Sequence, residues 1–272
     1  VTAPTPGSEF DTAALAALAE AAAAEAAAVL VEGLTRARTS VDQKSTATDL
    51  VTEMDRGAER LIVDRLLAVR PDDGVVGEEG AATPGTSGLE WVIDPIDGTT
   101  NYVYGHPGFA VSIAARTADA TLVGVVHDPL HGEVFTARAG AGARRNGVAI
   151  RASAEPRLDH ALVATGFSYE TGRRRRQADV LTRVLPAVRD LRRMGAASVD
   201  LCSVACGRVD AYFERGLQPW DHAAGALIAT EAGASVGDLD GGPASWDFCL
   251  AAAPALFGPL RELLRDAGAA DA

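Results

Sequence analysis

An apolar strand that runs into two carboxylates and then a glycine turn constrains this chain more than any other feature. The segment is Trp91-Val92-Ile93-Asp94-Pro95-Ile96-Asp97-Gly98-Thr99-Thr100-Asn101. Residues Trp91 to Ile93 are too apolar to lie in water, so the strand belongs in a buried sheet and carries Asp94 to its rim. Pro95 biases Asp94 toward extended backbone and removes one amide donor. Gly98 allows a tight turn and a close backbone approach to a ligand. Thr99, Thr100 and Asn101 suit a helix start, where free N–H groups favour an anion. Such an arrangement would build a metal site beside a phosphate cradle.

The 272 residues suffice for one large domain or for two that share a core. Hydrophobic residues make up 47%, which predicts a folded globular chain rather than disorder. A net charge of −12 argues against nucleic acid as a main partner and is compatible with a cation-dependent site. Cys202, Cys206 and Cys249 form an odd, sparse set that suits a reducing compartment and core packing better than a disulfide framework or a zinc site. Ala13 to Leu30 is alanine-rich but holds Glu20 and Glu25, and it reads as an amphipathic first helix rather than a signal peptide or membrane span. The expectation is a cytoplasmic protein with no membrane partner.

Helical patterning runs from about Thr12 to Leu34 and again from Asp55 to Val69, with Leu61, Ile62, Leu66 and Leu67 on one face. Lys44 to Asp49 is polar and reads as a loop. Val75-Val76 is a short strand ending in Gly77-Glu78-Glu79, and Ala81 to Gly88 is a flexible connection. Phe109 to Ala115, Leu122 to His127 and Glu133 to Ala137 look like antiparallel strands separated by Gly, Pro and Asp turns. Leu162 to Gly166 opens a second half, followed by a basic helix over Arg173–Arg189 and another over Ala197–Cys206. Val209 to Glu214 alternates as a half-buried strand would, and Asp221 to Ala232 is a helix closed by Gly233. Hairpins mixed with crossovers point to an α+β protein of layered helices and sheets. The expected division is an N-terminal α+β half, 1–150, with most of the metal ligands, and a C-terminal α/β half, 151–272, that completes the site.

Acidic residues recur at element ends: Asp55, Glu78, Glu79, Asp94, Asp97, Glu214 and Asp221. Carboxylates brought together repel, and some must bind protons unless a cation neutralises them. Oxygen donors without a neighbouring His or Cys favour Mg2+ or Mn2+ over zinc. Each position also has a plain structural reading. Glu78-Glu79 could be a solvated turn, Asp94 and Asp97 could cap the next helix, and Asp221 could be an N-terminal cap beside a packed Trp220. Their occurrence together, in this order, favours a functional site.

Asp49-Leu50-Val51-Thr52 with Asp55, Gly77-Glu78-Glu79, Asp94 to Asn101, Gly195-Ala196-Ala197, Val209 to Glu214, Trp220-Asp221 and Glu231-Ala232-Gly233 together resemble the inositol monophosphatase family, over about residues 12–265. The resemblance implies an αβαβα sandwich of the sugar phosphatase type. It also implies a Mg2+-dependent phosphomonoesterase, usually a homodimer, acting on a small phosphorylated polyol. By position, Glu78, Asp94 and the Ile96 carbonyl would hold a first metal, Asp94, Asp97 and Asp221 a second, and Glu78 a weaker third. Asp55 and Thr99 would orient the attacking water, with Glu78 also in the catalytic set. The Gly98 and Thr99 amides would bind phosphate. Gly195, Asp97, Ala197, Glu214 and Asp221 would line the substrate, the middle three meeting hydroxyls of the alcohol. Lys44 would lie in a loop over the site. Ala196 stands where relatives often carry a hydroxyl residue.

Thr100-Asn101 favours inositol-1-phosphate or a similar sugar-alcohol phosphate, because relatives acting on histidinol phosphate or adenosine bisphosphates tend to have lysine after Asp-Gly-Thr. Histidinol-phosphate phosphatase and fructose-1,6-bisphosphatase are the alternative activities. A regulatory binding protein with a retained site, and a metal-binding scaffold without turnover, are readings of other classes. The Arg173–Arg176 run could meet a second phosphate or be a solvated helix face.

Overall fold

A computed structural model describes residues 10–34, 41–43 and 50–272, with side chains placed outside 41–43 and 50–52. Helix α1 (Thr12–Gly33) starts where the Asp11 carboxylate accepts hydrogen bonds from the amides of Ala13 and Ala14. It is long and apolar enough to cross a membrane by length and composition, with mean hydropathy 1.8. Its small residues Ala19, Ala22, Ala23 and Ala26, with Leu30, are instead buried against helix α2 (Glu53–Val69) and a large sheet.

That sheet has eight strands in the order Val148–Ala149, Ala143–Arg145, Glu133–Arg138, Thr121–Asp128, Ala110–Arg116, Glu90–Asp97, Gly74–Gly77, Ala82–Thr83. Gly74–Gly77 runs parallel to Glu90–Asp97 and the other pairings are antiparallel. The start of the central strand is pinned by Asp73, which accepts from the Trp91 indole at 2.9 Å and pairs with Arg70. A second sheet has the order Asp190–Arg192, Leu162–Thr165, Ala211–Glu214, Cys249–Ala252, Ser235–Gly237.

Helices fill the remaining layers. After α3 (Thr99–Tyr104) and α4 (Thr171–Val184), α5 (Ala197–Ala205) and α6 (Pro219–Glu231) pack between the two sheets. α7 (Pro254–Asp266) and α4 cover the outer face of the second sheet. The αβαβα layering expected from the sequence is therefore the fold. The two-residue period of the strands distributes side chains between three cores. Val111, Ile113 and Ala115 face α1 and α2, while Ala110 and Ala114 face α5 and α6. In the second sheet Tyr212 faces the central helices and Ala211 and Phe213 face α7.

Three local expectations change. The central strand continues through Asp97 rather than ending at Ile93. The Ala81–Gly88 connection holds a short strand, Ala82–Thr83, paired with Val75-Val76. The basic helix stops at Val184 because Pro186 follows, its ring unable to continue the hydrogen-bond ladder; a 3-10 turn and the edge strand Asp190–Arg192 replace its last turns. The sequence pattern assigns nothing after Gly233, where the structure has two strands of the second sheet's far side and α7.

Gly124 marks where α6 meets the eight-stranded sheet most closely, since a Cβ there would lie 2.6 Å from the Ala224 carbonyl oxygen. Gly124→Val is expected to cost about 3 kcal/mol and lower the urea midpoint. Gly57 of α2 has open space around its missing Cβ, so Gly57→Ala is expected to raise that midpoint by roughly 0.5–1 kcal/mol of stability.

Candidate active site

The central strand solves a geometric problem that two carboxylates three residues apart would otherwise create. In a regular strand, positions an odd number apart face opposite sides. Here Asp94 pairs with Ser112 but Asp97 pairs with Ala110, so the strand carries a bulge across Pro95-Ile96. Pro95 lacks the amide that a regular ladder would use. The extra residue re-aims the side chains, and Asp94 and Asp97 both line one cavity of about 420 Å3.

Gly98 follows with φ +93°, and a Cβ there would sit 2.9 Å from the Gly108 carbonyl oxygen, so only glycine makes this turn comfortably. Helix α3 begins at Thr99, whose hydroxyl donates to the Ile96 carbonyl at 3.1 Å. Asn101 then donates to the carbonyls of Gly108 at 2.6 Å and Met194 at 2.8 Å. Tyr102 donates to the Leu30 carbonyl at 2.8 Å. The turn is thus tied to α1 on one side and to the segment before α5 on the other.

Asp97 is held from the other half of the chain. Its carboxylate accepts from the amides of Ser198 at 2.6 Å and Ala197 at 3.2 Å. The helix N-cap is Ala196, which has no side chain to cap with, so Asp97 satisfies two of the helix's free amides from a distant strand. Burial pushes the Asp97 carboxyl up to about 6, against the lowering effect of the Ser198 bonds. Asp94 accepts from the Ile96 amide at 3.0 Å. Burial first, then the charges of Glu78, Asp97, Asp221 and Asp55, holds its carboxyl well above the usual range.

Asp221 is the third residue of α6, where it accepts from the Gln218 amide at 2.6 Å in a capping box. It also lines the cavity. Burial first, then Asp97 and Glu78, holds its carboxyl well above the usual range, so the capping and functional readings of this residue are compatible. Glu214 ends a strand of the second sheet and accepts from the Tyr212 hydroxyl at 2.7 Å. Burial raises its carboxyl to about 7 despite that bond and the Arg193 charge.

Glu78, Asp94, Ile96, Asp97, Gly98 and Thr99 meet Gly195, Ala197, Glu214 and Asp221 in this cavity. Asp55 is fully buried on α2 and does not line the cavity, although its charge reaches Asp94. Lys44 and Asp49 lie outside the described residues. Among the described residues no three His, Cys, Asp or Glu side chains already converge where one ion would sit. The backbone amide donors just named hold Asp94, Asp97 and Asp221 instead. The donor set is all oxygen, and its buried members are held above the usual carboxylate range by burial and one another, so it suits a hard divalent cation chemically.

Two acidic residues of the site region escaped the sequence reading, as did Arg193 and Arg215 of the cavity lining. Glu59 is buried on α2 and accepts from the amides of Glu79 at 2.9 Å and Ala81 at 3.0 Å, shaping the turn that carries Glu78. Its spacing of four from Asp55 on one helix face was the available signal. Asp200 of α5 is buried, and burial first, then the charges of Glu214 and Asp97, holds its carboxyl well above the usual range; a lone acidic residue in an apolar helix was the only hint.

The sequence model of the inositol monophosphatase family matches residues 11–267. An inositol-1-monophosphatase of Mycobacterium bovis is 47% identical over 241 residues, covering 82% of this chain and 83% of the relative. The Nus factor SuhB of Vibrio cholerae is 44% identical over 201 residues, covering 72% of this chain and 74% of the relative. The crystal structure of the extragenic suppressor protein suhB from Bartonella henselae superposes with a TM-score of 0.88 at 36% identity, covering 93% of this chain and 98% of that one.

The raised carboxyls predict how stability depends on pH without divalent cations. For Asp97 and Glu214 the folded pKa, about 6 and about 7, exceeds the unfolded one. Their contribution is therefore present in full below the unfolded carboxylate range and is lost as pH rises through 6 to 7. In EDTA, Tm is expected to be about 5 °C higher at pH 5 than at pH 8, and added Mg2+ to raise Tm more at pH 8. Equal Tm values at the two pH values, read by calorimetry, would refute the charge crowding.

Proposed function

The chain belongs to the inositol monophosphatase family, whose members are in general metal-dependent, and on that premise we propose a Mg2+-dependent phosphomonoesterase acting on inositol-1-phosphate or a similar sugar-alcohol phosphate. One observation carries the reading. Glu78, the strand end that carries Asp94 and Asp97, and Asp221 come from separate parts of the chain and line one cavity with the Gly98-Thr99 turn.

Glu78, Asp94 and the Ile96 carbonyl would hold one cation, and Asp94, Asp97 and Asp221 another. Bound divalent cations supply neutralisation of phosphoryl charge and acidification of water. The protein's own groups do the rest. The Thr99 hydroxyl commits its proton to the Ile96 carbonyl, which leaves oxygen lone pairs to accept a proton of the attacking water. Asp55 would act with Thr99 as a proton acceptor or orienting group for that water. The Gly98 and Thr99 amides receive phosphate oxygens. Asp97, Ala197 and Glu214 receive hydroxyls of the alcohol, and Asp221 lies beside the departing oxygen. The likeness to a protein named a Nus factor favours a second role, in which the chain also binds a partner while keeping this site.

Asp94→Asn is expected to lower kcat about 10^2- to 10^3-fold in saturating Mg2+; near-normal turnover in a phosphate-release assay would overturn the assignment. A panel of inositol-1-phosphate, histidinol phosphate and fructose 1,6-bisphosphate, with and without Mg2+, is expected to give the highest Mg2+-dependent kcat/KM on the first. Partner capture that survives Asp97→Ala while phosphate release disappears would support the second role.

A further inference from the structure

Asp94, Asp97 and Asp221 are each steadied by amides that their own carboxylates accept from. Glu78 is fixed through the backbone of its turn. Its amide donates to the Ile93 carbonyl at 3.2 Å, which ties the turn to the central strand. The Gly77 amide donates to the Ala81 carbonyl at 2.8 Å and closes the turn. The amides of Glu79 and Ala81 then donate to the two oxygens of a single carboxylate, that of Glu59, at 2.9 and 3.0 Å. Glu59 is 5% exposed, lies one helical turn after Asp55 on α2, and does not line the cavity.

The sequence of the turn is adapted to this carboxylate. A Cβ on Gly77 would lie 2.1 Å from Glu59 Oε2 and 2.8 Å from its Cδ. Gly77 ends a strand and is not among the glycines with positive φ. Room for Glu59, rather than a left-handed backbone, is what requires glycine there. Burying a carboxylate costs free energy, but an apolar residue at position 59 would leave two amides without acceptors. A glutamine would offer one acceptor oxygen and turn an N–H group toward the other amide. Only a carboxylate of this length serves both donors.

We propose that Glu59 is the positioning residue of Glu78: by bridging the Glu79 and Ala81 amides it sets the affinity of the cation held through Glu78, without touching the ion. The inference rests on the reading of Glu78 as a cation ligand and adds the group that orients it. Residues that hold a metal ligand in place change affinity about 10- to 100-fold when they are removed. The position formed by Asp94, Asp97 and Asp221 has amide donors of its own and does not depend on Glu59.

Mn2+ binding to the whole chain, read by calorimetry and by the EPR signal of the free ion, tests this without substrate. Glu59→Gln is expected to weaken Mn2+ binding about tenfold in the wild-type background and to add almost nothing in a Glu78→Gln background. Gly77→Ala, which crowds the carboxylate from the other side, is expected to do the same and takes the place of Glu59→Gln in the cycle if that variant does not fold. A merely structural role would lower Tm in EDTA and leave the Kd of the folded protein alone. An unchanged Kd, or an equal loss with and without the Glu78 carboxylate, would overturn the inference. If the wild type binds no Mn2+, the inference and the metal reading fall together. If the cycle holds but no phosphomonoester is hydrolysed, the inference stands and the phosphatase reading alone fails.

Discussion

Negative charges crowded together out of water are the condition to which the rest of this molecule answers. Asp94 and Asp97 are buried and Asp221 half-buried; Asp94 feels the charges of Asp97 and Asp221, Asp221 feels that of Asp97, and all three feel that of Glu78. Carboxyl groups in that position destabilise a fold unless amides, protons or cations compensate. The amides are visible: Ile96 for Asp94, Ala197 and Ser198 for Asp97, Gln218 for Asp221. Each belongs to a turn or helix start whose backbone donors would otherwise lack partners. The same bonds that make the acids tolerable therefore order the elements around them.

This reciprocity explains how two sheets on opposite sides of α5 and α6 come to share a site. The Asp97 carboxylate takes the place of the N-cap side chain that Ala196 lacks, joining the central strand of one sheet to a helix that packs on the other. Asn101 repeats the link through the Met194 carbonyl. Ser112, the partner of Asp94 across the ladder, donates to the Trp220 carbonyl next to Asp221. The layers bury enough apolar surface to hold the chain together, and these few polar bonds set the register between them. Arrangements of this kind place reacting groups more firmly than loops alone would.

The cavity lining also carries charges of both signs. Carboxylates from strand ends and from α6 line it together with one arginine of α4, Arg173, and with arginines of the segment before α5 and of the position after Glu214. Trp246 lies under two of those arginines although nothing in its sequence neighbourhood announces a binding role. Polarity of this sort gives a ligand both a place and an orientation.

Much of this was legible beforehand. The runs Phe109 to Ala115, Leu122 to His127 and Glu133 to Ala137 between Gly, Pro and Asp turns announced strands, and the run from Trp91 to Asn101 announced a buried strand, a turn and an acidic rim, because local sterics and hydropathy act over a few residues. Helix ends at proline were less legible: the basic stretch continued in pattern past Pro186 although the ring forbids it. Glu59 and Asp200 went unnoticed because their meaning lies in partners on other elements: the Glu79 and Ala81 amides for Glu59, Glu214 and Asp97 for Asp200. By itself, then, the sequence determined the layered class, the positions of the acids and the need for something to neutralise them. Tertiary structure alone decided that a bulge turns Asp94 and Asp97 to one side, that Asp97 caps a helix of the other half, and that one arginine of four reaches the cavity. The reason is physical: hydropathy and backbone preference are local, whereas the side a carboxylate faces and the field it feels depend on segments that meet only when the chain has folded.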